Sequence, residues 1–120
     1  MSPASVPGAL ALACRAVRPA GPRDMVAGVM PDWVASPATI EEASALLAAA
    51  TEHDLAVVPR GSGTAVGWGP PPARCDLVID TLRLDQVLEH AAGDLVVRAA
   101  AGVTLARLAG VLAAAGQQLA

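Results

Sequence analysis

An α+β (α/β) fold, a small mixed sheet flanked by two helices, follows from three observations. A capped helical repeat begins at Thr39, another begins at Thr104, and between them lie short apolar runs with strand character. The 120-residue chain allows one domain at most, with a modest core.

Residues 1 to about 24 read as an unstructured lead-in, because "SPASVPG" and "RPAGPRD" are rich in Pro, Gly and Ser and carry no periodicity. On this reading residues 1–29 are disordered or loosely ordered and 30–120 form the domain. Thr39 followed by Glu42 makes a capping box, with Pro37 just ahead of it. Ile40, Ala43, Leu46, Leu47 and Ala50 then fall on one helical face. "LAVVP" (Leu55 to Pro59) and "DLVID" (Asp76 to Asp80) read as buried strands. Gln86 to Ala91 and Leu95 to Ala101 read as two strands joined by a tight turn. In the last helix Thr104 is the N-cap, Leu105, Leu108, Leu112 and Ala115 form the apolar stripe, and Gly116 suits the position just past the end. "GQQLA" then looks like the start of a further strand, so the chain is expected to be a fragment of a longer domain.

Phe and Tyr are absent, and Trp33 and Trp68 are the only aromatics. Alanine supplies much of the hydrophobic content and buries little area per residue, so the core must rest on Leu, Val and Ile. The formal charge is -3, there is no lysine, and the arginines are dispersed. Nucleic-acid binding needs a concentrated basic footprint and is not expected. Cys14 and Cys75 stand in no CxxC spacing, so no metal or iron–sulfur site of this chain alone is expected. A disulfide stays open at this point, although two lone thiols fit a reducing compartment better. The apolar run Ala9 to Cys14 has no basic residue before it and is shorter than most signal cores. No run approaches the ~20 apolar residues of a membrane span. A cytoplasmic protein is expected.

The stretch least explained by folding needs is "VVPRGSGTAVGWGPPP", Val57 to Pro72. Glycines at 61 and 63 let backbone N–H groups approach a ligand with no Cβ in the way. Successive N–H groups in such turns form an anion nest, for which pyrophosphate is the usual occupant. Arg60 adds a fixed charge with forked donors that suit phosphate oxygens. A Walker loop is excluded by the lack of GK[ST], and the GxGxxG spacing fails at Val66. Those loops also open a helix, which Gly67, Gly69 and Pro70 to Pro72 prevent, so the loop backbone itself would hold the phosphates. From the loop alone, a surface turn that uses glycine only for its shape is an equal alternative.

"PRGSGT" after a buried strand, followed by "DLVIDTLRLDQVLEH" and "GDLVVRAAAGVTLARLAGVLAAAGQQLA", resembles the FAD-binding domain of the vanillyl-alcohol oxidase/PCMH-type flavoproteins. The resemblance runs from about Met30 to Ala120 and covers the N-terminal half of that domain. Within the superfamily, "AVVPRGSGT", "WG" and "RLDQVLEHAAGDLVV" look most like the FAD-binding subunit of bacterial glycolate oxidase. The resemblance implies that Arg60, Gly61, Ser62, Gly63 and Thr64 wrap the FAD pyrophosphate, and that Trp68 and Gly69 pass near the cofactor. Several relatives attach the flavin through a histidine at the Thr64 position. Threonine cannot make that bond, so FAD would be noncovalent. The implied protein is a 2-hydroxy acid oxidoreductase with partner subunits, one an iron–sulfur protein, placed peripherally at the inner membrane through them. This piece would lack the catalytic residues and be inactive alone. The alternative is a noncatalytic remnant or interaction module.

Other polar residues read as structural. Asp76 and Asp80 share a strand face but lie ~13 Å apart at ~3.3 Å per residue, too far for a catalytic carboxylate pair. His53 at a helix end and His90 in a strand have no nucleophile or metal partner nearby in sequence. Trp33 reads as packing.

Overall fold

The computed structural model describes residues 5–120. Four strands, β1 (Val17–Pro19), β2 (Trp33–Ala35), β3 (Val57–Arg60) and β4 (Leu77–Asp80), form one sheet in the order β1-β2-β4-β3. β1 runs antiparallel to β2, whereas β4 runs parallel to both β2 and β3. β5 (Val87–Ala91) and β6 (Val96–Ala99) form a separate antiparallel hairpin. Among the described residues there are three α-helices: α1 (Ser5–Ala13), α2 (Ile40–Glu52) and α3 (Leu105–Ala113). The α+β class read from the sequence is the class observed.

Strand alternation divides the core between the two faces of the sheet. Ala35, Leu77 and Ile79 point to one face and pack with Leu10, Cys14, Leu46 and Ala49 from the helical side. Val34 and Val78 point to the other, against Val26 and Cys75. Arg60 pairs in register with Asp80, and the two-residue period sets both on the face of Val58 and Val78. The two cysteines are free, buried and on opposite faces. Burial pushes both thiols up, so they stay protonated and behave as small apolar groups.

The expected lead-in is corrected by the structure. Residues 5–13 are helical, and Leu10 and Cys14, one turn apart, are buried with Val6, Ala9 and Ala13 packed around them. Pro7 lies in the first turn, where its missing N–H breaks no helical bond. β1 follows and pairs with β2, so this segment supplies both a helix and an edge strand.

α2 begins at the expected N-cap, Thr39. The Thr39 hydroxyl accepts from the Glu42 N–H at 3.1 Å. The Glu42 carboxylate accepts from Ala38 N–H at 3.0 Å and from Arg15 N–H at 2.9 Å, tying the helix start to the chain after α1. The helix ends with Asp54 left-handed at φ 54°, Leu55 N–H closing on the Ala50 carbonyl and Asp54 N–H on that of Thr51. Thr39→Ala is expected to cost about 1 kcal/mol, read from denaturant unfolding, because one first-turn N–H loses its acceptor. The buried stripe is Leu46, Ala49 and Ala50; Ile40 and Leu47, expected inside, are exposed.

α3 is capped by Thr104, whose hydroxyl accepts from Arg107 N–H at 3.2 Å. It stops at Gly116, φ 70°, as expected. Leu108 and Leu112 are buried, while Leu105 and Ala115 are not. Residues 117–120 form no strand. The Gln117 side chain instead links His90 (2.9 Å) with the Ala92 carbonyl (2.6 Å), joining the hairpin to the helix end.

Candidate functional site

Parallel β3 and β4 cannot be joined by a hairpin, since parallel neighbours need a long crossover, usually a helix. Here residues 61–76 are the crossover, and they contain no helix. The glycine loop therefore springs from the C-terminal end of β3. In open parallel sheets ligands bind outside the carboxyl ends of the strands.

The loop is shaped by Gly63 in particular. Gly63 has φ +86°, a conformation that L side chains rarely adopt, and a Cβ there would sit 3.8 Å from the Arg60 Cδ. A Cβ on Gly61 would lie 4.0 Å from the Thr81 hydroxyl. Gly67 and Gly69 are different: nothing lies within 4 Å of a Cβ at either, and neither has positive φ. The Ala65 to Trp68 turn closes through Trp68 N–H to the Ala65 carbonyl at 3.1 Å.

A cleft of about 590 Å³ opens between this loop and the start of α3. Residues 59–66 line one side, 101–105 the other, and Leu82 joins them. Among the described residues, the N–H groups of Ser62 to Val66 find no backbone acceptor, and the loop from Gly61 to Ala65 is exposed. The first turn of α3, with its orphan N–H groups and positive dipole end, borders the same space. The helix N-terminus that the loop itself cannot form is thus supplied by a segment forty residues on. Its sequence signal was the Gly102–Thr104 turn and cap.

Gly102 holds the two sides together. Its N–H donates to the Leu84 carbonyl at 2.8 Å, and a Cβ there would meet the Thr81 carbonyl oxygen at 1.6 Å. Only glycine lets the backbone pass that close.

Arg60 stands at the root of the loop, but its guanidinium is engaged by carboxylates. It donates to Asp24 at 2.9 Å and to Asp80 at 3.2 Å. Asp24 also accepts two bonds from Arg18, at 2.7 and 2.9 Å, and one from Gly21 N–H at 2.8 Å. Those bonds, Arg18's first, hold the Asp24 carboxyl well below the usual carboxylate range although burial acts the other way. Asp80 in turn accepts from Leu82 N–H at 2.9 Å. Asp24 carried no signal in the sequence, since Arg60, which it holds, is thirty-six residues along the chain.

Of the residues singled out, Arg60, Gly61, Ser62, Gly63 and Thr64 come together at the cleft. Trp68 and Gly69 lie outside its lining, and Trp68 is 85% exposed. Asp76 accepts from Ala56 N–H at 2.7 Å and pairs with Arg74, which fits the structural role expected of it. Among the described residues no cluster of His, Cys, Asp and Glu could hold a metal ion, and no helix is long and apolar enough to cross a membrane.

Amides without a backbone acceptor, a helix start and a shared cleft are together able to hold an anion. The family described as FAD binding domain matches residues 31–120. The chain is 40% identical over 60 residues to glycolate oxidase subunit GlcD of Bacillus subtilis (strain 168), covering 50% of this chain and 13% of that one. It is 37% identical over 78 residues to an uncharacterized FAD-linked oxidoreductase of Mycobacterium tuberculosis (strain ATCC 25618 / H37Rv), covering 65% of this chain and 17% of that protein. It therefore spans less than a fifth of these relatives. Among solved structures, a berberine bridge enzyme variant superposes with TM-score 0.73 at 14% identity, over 94% of this chain and 26% of that chain. An alkyldihydroxyacetonephosphate synthase superposes with TM-score 0.63 at 24% identity, over 72% and 18%. At such identities these two show the fold.

Proposed function

The chain belongs to the FAD-binding-domain family of PCMH-type flavoproteins, and from that premise we propose that its glycine loop holds the FAD pyrophosphate in a 2-hydroxy acid oxidoreductase of the glycolate oxidase kind. The observation that carries the reading is that the N–H groups of Ser62 to Val66 find no backbone acceptor among the described residues, on a loop that shares one cleft with the first turn of α3. Backbone amides hold an oxyanion without carrying net charge, and a helix start adds its dipole. Ser62 and Thr64, exposed on the same loop, add hydroxyl donors. Trp68 and Gly69 would approach the cofactor only from outside the cleft.

When bound, FAD supplies the two-electron acceptor to which a 2-hydroxy acid yields a hydride. This chain's part is to bind and orient the cofactor, noncovalently, because Thr64 offers no nitrogen for a flavin bond. The GlcD likeness supports a complex with other glycolate oxidase-type subunits, and the proposal counts an iron–sulfur protein among them. A cytoplasmic place, peripheral to the inner membrane through those partners, belongs to the same proposal.

The test is FAD titration of the protein as its own gene encodes it, followed by flavin fluorescence. Saturation at one FAD per chain is expected, with release of intact FAD on denaturation. Gly63→Val is expected to weaken binding at least tenfold, since a β-branched residue at φ +86° must remake the loop. Loss of the flavin's visible absorbance on anaerobic addition of glycolate or D-lactate then assigns the substrate. A folded protein that takes up no FAD would support the interaction-module alternative.

A further inference from the structure

The family match begins at residue 31, yet the site as built reaches back to residue 18. Arg18, Asp24, Arg60 and Asp80 form one chain of ion pairs under the root of the glycine loop. Two positive and two negative charges cancel within it. Arg60 sits with its side chain only 15% exposed, between carboxylates whose side chains are 5% and 17% exposed. A guanidinium so engaged has two of its donors turned toward carboxylates, and a phosphate would have to compete with them. Its geometry suits a different task. The Arg60 carbonyl accepts from Thr81 N–H at 2.9 Å and its side chain spans from β4 to the turn at Asp24, so the residue from which the loop departs is fixed on both sides.

We infer that Asp24 is a positioning residue for the cofactor: with Asp80 it holds Arg60, and through Arg60 it sets the direction in which Gly61 to Val66 leave the sheet. Arg60 acts as the anchor of the anion nest, and the nest amides meet the phosphates. The inference rests on reading the cleft as an FAD site. It adds a segment outside the matched family region to that site. Asp24 suits the role because both of its oxygens are fully used, taking four hydrogen bonds from Arg18, Gly21 and Arg60. An acceptor so surrounded has one orientation.

The experiment compares wild type, Asp24→Asn, Arg60→Gln and the double variant, each as the full protein, with two readouts. The first is FAD affinity. Asp24→Asn turns one acceptor into a donor facing a guanidinium, and is expected to weaken FAD binding about tenfold, with Arg60→Gln similar. The double variant is expected to lose no more than the worse single, because both act through one contact. The second readout needs no flavin. Trypsin must extract the Arg60 side chain to cut Arg60–Gly61, and the Arg74–Cys75 bond, with Arg74 56% exposed, is the internal reference. Asp24→Asn is expected to raise the ratio of the first cut to the second at least fivefold. Asp80→Asn unties Arg60 from the other side while leaving Asp24 with Arg18, and is expected to move both readouts the same way. It serves as well should Asp24→Asn not fold.

FAD affinity within twofold of wild type in the folded variants overturns the inference, as do losses that multiply in the double variant. An unchanged tryptic ratio overturns the anchoring of Arg60. A wild-type protein that takes up no FAD overturns the proposed function and the cofactor half of this inference, while the tryptic ratio still decides how Arg60 is held.

Discussion

Gly102→Ala is expected to destabilise the protein by about 3 kcal/mol or more and to abolish FAD uptake, whereas Gly67→Ala and Gly69→Ala should be neutral within about 0.5 kcal/mol. All three replace a glycine outside the left-handed region, so backbone conformation does not separate them. Space does. At Gly102 the new methyl would fall 1.6 Å from the Thr81 carbonyl oxygen, 2.6 Å from its carbon and 2.8 Å from the Leu84 oxygen. None of these atoms is free to yield. The Thr81 oxygen accepts from Leu84 N–H, the Leu84 oxygen accepts from Gly102 itself, and Thr81 N–H is tied to Arg60. Relief therefore requires moving the strand that carries one wall of the cleft away from the other. Denaturant unfolding of the three variants, with FAD titration alongside, reads both effects.

Asp24→Ala is expected to lower stability by about 3 kcal/mol near neutral pH. Removing one partner of a buried pair costs about 3–5 kcal/mol, and the low end applies because the Arg18 side chain is 54% exposed and can turn to water. Without the carboxylate, Arg18 and the partly buried Arg60 lose their shared acceptor, with Arg23 nearby and Asp80 alone in compensation. The pH dependence fixes the cause. The folded-state carboxyl of Asp24 titrates below its unfolded value, so its stabilisation is complete above the unfolded pKa of about 4 and disappears as pH falls through the folded value. The gap between wild type and Asp24→Ala should thus stay level from neutrality to about pH 4 and close below it. Unfolding curves at stepped pH check this. A gap that held at the acid end would assign the loss to packing rather than charge.

Local chemistry made much of this fold readable. Thr39 with Glu42, Thr104 and Gly116 mark helix limits by hydrogen bonds made within a few residues, and each sits as expected. The helical faces were read less well. Ile40, Leu47 and Leu105 fit the apolar period but are exposed, since periodicity says which residues share a stripe and not how wide the buried part is. α1 was missed because Pro7 and Gly8 look like breakers, although proline in a first turn breaks nothing. Glycine spacing pointed to the loop that lines the cleft, whereas Trp68 and Gly69, brought in by the resemblance, lie outside that lining. The partner of Arg60 was invisible for the opposite reason. Asp24 lies thirty-six residues away and meets it only because one strand face presents Arg60 to the turn beyond β1. Gly102 has no local pattern to mark it, since the Thr81 carbonyl that forbids a Cβ there comes from twenty-one residues earlier.

The scarcity of aromatic residues has a spectroscopic side. With no tyrosine or phenylalanine, the near-ultraviolet signal of the chain comes from two indoles alone. Trp33 lies in β2, partly buried beside the helical core, and Trp68 rides 85% exposed on the crossover just past the amides of the cleft. The two differ in accessibility, so a soluble quencher separates them. One emission component follows the sheet and the other follows the loop. Unfolding of the scaffold and rearrangement of the glycine loop can therefore be watched as separate events in the unlabelled protein.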